Sequence, residues 1–174
     1  MNKQHILGFF DDLVRTPVFL FLCAMFLCGA AAGGLTGLRA GEGDGAAVLS
    51  GLLAELPAHV VQSTLCALIW VLLPLVCAFL RPRELLLSAV AAARGFVLAM
   101  TVAGEGNALI IGAAGVPAVL SVSALLAACS MVWQGGEATG RYSLRTCRMP
   151  YFLCVTLAVL SAPLRAAIAA LCNV

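Results

Sequence analysis

Long apolar runs, separated by short polar links, dominate the pattern along this chain. Five runs stand out, at residues 17–38, 60–80, 85–103, 108–131 and 151–172. Each is close to the ~20 residues that a helix needs to cross the hydrocarbon core of a bilayer. None alternates polar with apolar, as the strands of a membrane barrel do. A chain segment in lipid must satisfy its backbone N–H and C=O groups internally, so each run is read as an α-helix. Pro74, Pro117 and Pro163 fall inside the second, fourth and fifth runs, which membrane helices tolerate and soluble ones rarely do. The fold expected is an all-α, polytopic membrane protein: one integral domain, residues 1–174, built as a bundle of five transmembrane helices.

Composition narrows the class. Of the 174 residues 63% are hydrophobic and 10% charged, against about 25% charged in a soluble domain. So few charges do not cover a water-facing surface. The formal net charge of +2 is too small to imply a nucleic-acid partner; the partner implied is the lipid bilayer. The first run is longer than the apolar core of a secretory signal, and further runs follow it, so it is read as a span.

The placement of the cations gives a direction. Lys3, Arg15, Arg81, Arg83, Arg141, Arg145 and Arg148 fall in the tail and links of one side, and only Arg39 falls on the other. This asymmetry predicts a cytoplasmic N-terminus and an external C-terminus, which five crossings provide. Arg81, Arg83, Arg141, Arg145 and Arg148 are then cytoplasmic basic anchors, and those of the link before the fifth run, Arg141, Arg145 and Arg148, can bind anionic lipid heads. Trp133 and Tyr151 bracket the basic link as an interfacial aromatic pair. In the first external link, residues 46–56 suit a short interfacial helix.

Candidate chemistry is sparse. The eight cysteines, at 23, 28, 66, 77, 129, 147, 154 and 172, show no CxxC spacing and are read as small apolar side chains. No cofactor and no metal site is implied. There is no phosphate-binding loop, no HExxH and no GxSxG. No span contains a carboxylate, which disfavours proton-coupled transport. The chain is therefore read as non-enzymatic.

Two features stand apart. Gly29, Gly33 and Gly37 recur every fourth residue in "GAAAGGLTG". On a helix they form a smooth stripe for close backbone approach, either within the monomer or to a docking partner. Arg94 sits at mid-depth of the third run, where a cation costs about 2.5–3.5 kcal/mol on the insertion scale. It either snorkels to the cytoplasmic phosphates or turns inward onto structure or a ligand. The partners open to it are carbonyls freed at Pro74 or Pro117, the hydroxyls of Ser88, Ser121 and Ser123, lipid, or an anion. Arg165 is a second intramembrane cation, nearer the external end.

The order of these features resembles the stage II sporulation protein M family. The likeness runs from about Phe19 to the chain end. It is carried by the small-residue stripe "CGAAAGGLTG", by His59 ahead of "LIWVLLPLVCAFL", and by the Arg94–Gly95 step into "FVLAM". The Pro-containing "GVPAVLSVSALLAACS" and the aromatic start of "YFLCVTLAVLSAPLRAAIAAL" complete it. Two departures are a short outer link, and Arg165 in a helix where the family tends to carry an acid. The resemblance implies a multi-pass protein of the septal or engulfing cell membrane of a sporulating bacterium. Its implied role is a scaffold for a peptidoglycan-degrading complex that thins the septal wall for engulfment. The implied partners are a lytic transglycosylase and an amidase/endopeptidase. The alternative reading is a small transporter or permease subunit that moves an anion or lipid past Arg94.

Overall fold

The computed structural model describes residues 13–40, 60–104, 108–135 and 148–171, and among these every regular element is an α-helix. The helices are α1 (Pro17–Ala40), α2 (Val60–Cys77), α3 (Arg83–Gly104), α4 (Ala108–Gly135) and α5 (Arg148–Leu171). They follow the five apolar runs to within a few residues. The interfacial helix expected at 46–56 lies outside the described residues.

Local chemistry sets the described ends. The Thr16 carbonyl accepts the first helical bond of α1, from Leu20 N–H at 3.3 Å. Pro17 follows at the first helical position, where its missing N–H costs nothing. The second helix stops at Cys77, three residues short of the expected end. Beyond it, Phe79 and Leu80 donate to carbonyls three residues back, on Val76 and Cys77, at 3.2 and 3.1 Å. This tightened turn closes the helix, and Pro82 then biases Arg81 away from helical backbone.

Three helices are long and apolar enough to cross a membrane: α1 over Pro17–Arg39, α3 over Arg83–Ala103 and α4 over Pro117–Gln134. These lengths and compositions mark a membrane protein. The apolar stretches described in α2 and α5, Thr64–Cys77 and Met149–Leu164, are shorter.

The fourth helix is the central column. It touches all four others, and Ala124 through Val132 are buried without a break. A helix apolar on every side belongs at such a position. On one side, α2 and α5 pack on α4 through Val71, Ala124, Ala128, Met131, Cys154 and Ala158. On the other, α1 and α3 join it through Leu22, Leu87, Ala91, Leu125 and Cys129. Among the described helices the most extensive contact is between α1 and α3.

The surface inverts the arrangement of a soluble domain. Leu20, Leu27, Leu35, Ile69, Val119, Phe152 and Leu160 are exposed, whereas Ser88, Arg94, Ser121, Ser130 and Ser161 are buried. Large apolar side chains left outside, with serines and an arginine enclosed among the apolar core, are what lipid, not water, selects.

Candidate functional site: a glycine seam beside an enclosed arginine

Helix α1 meets α3 along the glycine stripe. A Cβ added to Gly29 would strike the backbone of Ala92, with the Ala92 carbonyl carbon at 2.7 Å. At Gly33 it would strike the backbone of Phe96, and at Gly37 it would lie 2.8 Å from Ala103 Cβ and 3.2 Å from the Met100 carbonyl oxygen. Stepping four residues along α1 therefore steps four along α3, from 92 to 96 to 100, so the two helices run parallel. The contact is reciprocated: a Cβ on Gly95 would overlap the Phe26 carbonyl and come within 3.0 Å of Ala30 N. Four glycines thus bring two backbones together. Gly34, one residue off the stripe, has nothing within 4 Å of its Cβ position. The stripe's occupied face is a packing surface inside the monomer.

The neighbour of Gly95 points elsewhere. One residue advances a helix by about 100°, so with Gly95 against α1, Arg94 turns toward α2 and α4. Its side chain is 1% exposed. The guanidinium Cζ lies 5.2 Å from the centroid of the Trp70 ring on α2. Arg94 Nη2 donates to Ser121 Oγ on α4 at 3.1 Å. Ser121 in turn donates to the Ala118 carbonyl at 3.1 Å, which leaves a lone pair of its oxygen for the arginine. The snorkelling expected as one option is not the arrangement observed: the guanidinium is enclosed by protein. The reason is the alternative partner. A desolvated cation–π contact contributes about 2 kcal/mol or more, comparable with the insertion cost of about 2.5–3.5 kcal/mol.

Of the hydroxyls open to Arg94, the other two bond within their own helices, Ser88 to the Leu85 carbonyl and Ser123 to the Leu120 carbonyl. Trp70 was not among the partners expected from sequence. No local signal ties it to Arg94, since the pair is formed between separate helices.

The helix ends carry a second set of links. Gln134 Nε2, at the end of α4, donates to Thr16 Oγ1 at 3.1 Å, and Thr16 Oγ1 donates to the Leu13 carbonyl at 2.6 Å. Trp133 meets Phe21 edge-on, with centroids 5.9 Å apart. Tyr151 O–H donates to the Val71 carbonyl at 2.5 Å. That carbonyl adjoins the Trp70 carbonyl, which Pro74 cannot serve. The aromatic pair expected at the interface is therefore partly turned into the bundle, where each ring joins two helices.

These contacts place the start of α1, the end of α4 and the start of α5 at one end of the bundle. Cys77 and Leu87 join Leu22 and Val132 there, so the α2–α3 turn lies at the same end. It carries Arg81, exposed, and Arg83, half-buried. Arg15 precedes α1 and Arg148 opens α5 at that end, while Arg39 closes the last turn of α1. Arg165 lies within α5. Arg141 and Arg145 lie outside the described residues. Cys23, Cys28, Cys66, Cys77, Cys129 and Cys154 are free thiols.

Compared with protein families, with curated proteins and with solved structures, the chain matches none.

Proposed function

We propose that this protein is a multi-pass membrane scaffold, with five crossings, a cytoplasmic N-terminus and an external C-terminus. The observation that carries this reading is the inverted distribution of side chains. Leu20, Leu27, Phe79, Val119, Phe152 and Leu160 are exposed, while Arg94, Ser121, Ser130 and Ser161 are enclosed among the core leucines and alanines, and Gly29, Gly33 and Gly95 lie at backbone contact. Lipid supplies no hydrophobic drive between helices, so such a bundle is held by close backbone approach and internal polar contacts. The basic end then faces the cytoplasm.

The scaffold role rests on three supports. The sequence lacks a motif for catalysis or proton coupling. The two longest-contact helices, α1 and α3, form a unit joined at backbone distance, which suits a platform better than a moving gate. The resemblance to the stage II sporulation protein M family supplies the setting: a septal membrane complex with a lytic transglycosylase and an amidase/endopeptidase, thinning the wall for engulfment. The permease reading needs Arg94 to face a passage; its guanidinium instead lies against Trp70 and Ser121.

Two experiments test this. Compartment-specific labelling of tags at each chain end is expected to place them on opposite sides of the membrane; both ends on one side removes the five-span topology. Deletion of the gene in a sporulating host is expected to stall engulfment with a thick septum. Normal engulfment in the deletion strain removes the sporulation role and leaves the topology standing.

A further inference from the structure

The α2–α3 turn combines features that do not suit water. Phe79 is 87% exposed and Leu85 73% exposed, and Leu80 is exposed beside them. Between these apolar side chains stand Arg81 and Arg83, separated by Pro82. The turn is held in shape: Leu80 N–H bonds to Cys77 and Leu86 N–H to Pro82, at 3.1 and 3.0 Å. Neither arginine has a hydrogen bond or ion pair among the described residues. Glu84, also exposed, is the one acidic residue within the described segments. Two arginines less one glutamate leave a surplus of one positive charge on the turn.

From this juxtaposition we infer that the α2–α3 turn is a docking wedge for anionic phospholipid headgroups. The Phe79 ring and Leu85 enter the boundary of the acyl layer, as amphipathic and aromatic anchors do. Arg81 and Arg83 then stand at the depth of the phosphates. A guanidinium presents paired N–H donors that match two phosphate oxygens, which a lysine ammonium does not. The surplus cation selects headgroups with net negative charge over zwitterionic ones, whose own ammonium cancels the gain. The inference rests on the membrane-spanning part of the proposed function and not on the sporulation role.

The test uses the full chain, extracted in mild detergent and offered an equimolar mixture of phosphatidylglycerol and phosphatidylethanolamine, with bound lipid counted by native mass spectrometry. The unaltered protein is expected to retain phosphatidylglycerol at least about fivefold over phosphatidylethanolamine, the scale set by one surface cation. In R81Q/R83Q the ratio is expected to fall several-fold, with any remainder due to the other arginines of this end. R81K/R83K keeps part of the preference, Phe79→Ala lowers retention of both lipids, and Arg39→Gln, at the far end of α1, changes neither. If the double glutamine variant is not monodisperse, the single variants R81Q and R83Q decide, each losing part of the preference. An unchanged ratio in the glutamine variants, or an equal loss in Arg39→Gln, overturns the inference. Release of the chain from membranes by alkaline carbonate would instead remove the membrane-spanning premise, and so separates the two failures.

Discussion

The α1–α3 pair and the α2–α4–α5 cluster hold together by different means. Along the first, Gly29, Gly33, Gly37 and Gly95 put one backbone against another, and the side chains that matter are those that are missing. In the second, alanine, methionine, cysteine and leucine side chains fill the space, and Tyr151 crosses from α5 to bond with the Val71 carbonyl. Arg94 stands where the two meet: its own helix belongs to the first, and its partners Trp70 and Ser121 to the second. In a medium that gives no hydrophobic reward for association, contact area must come from shape or from polar bonds. The seam uses shape, which is intolerant of added atoms. The cluster uses side chains, which can repack.

That contrast can be broken most directly at the seam. Gly33→Val sets a branched side chain against the fixed Phe96 backbone. Overpacking of a core costs about 1–3 kcal/mol where side chains yield. Here backbone must move, so a loss of about 3 kcal/mol or more is expected by steric trapping in bicelles. Gly34→Ala, one position off the seam, should stay within about 0.5 kcal/mol of the parent, the range of substitutions away from structural features. If the two variants behave alike, the seam is not what holds α1 to α3.

The junction gives the next largest effect. Trp70→Ala removes the ring facing the Arg94 guanidinium and opens space, with an expected loss of about 3 kcal/mol from the large-to-small change. Arg94→Met keeps the volume and removes the charge, and buried charges replaced this way are often near neutral. A double-mutant cycle between the two should return a coupling of about 2 kcal/mol; a coupling near zero would mean that the ring and the cation are merely adjacent.

The cluster should respond least to loss of a single bond. Tyr151→Phe is expected to cost about 0.6 kcal/mol, the average for interhelical hydrogen bonds within a membrane. Leu27→Ala, on the exposed side of α1, should cost less still, because no protein atoms close over that side chain. A larger loss at Leu27 than at Tyr151 would show that the outward face of α1 has a protein neighbour in the membrane.

The amino-acid sequence alone determined that there are five apolar helices and roughly where they begin and end. The lipid requirement acts on each ~20-residue run separately, so the runs and the polar links between them are legible one at a time. The smooth face at Gly29, Gly33 and Gly37 was legible for the same reason: it is a periodicity within one helix. What covers that face was not, nor was the use of Gly95 to receive α1 while Arg94 turns away from it. The Trp70 ring over Arg94 left no local trace either, because its atoms lie on a helix that any of several bundle arrangements could have placed elsewhere. Tertiary structure decided those pairings. Helix formation is a property of one segment and its solvent, whereas which backbone can approach which depends on the shapes of both surfaces at once.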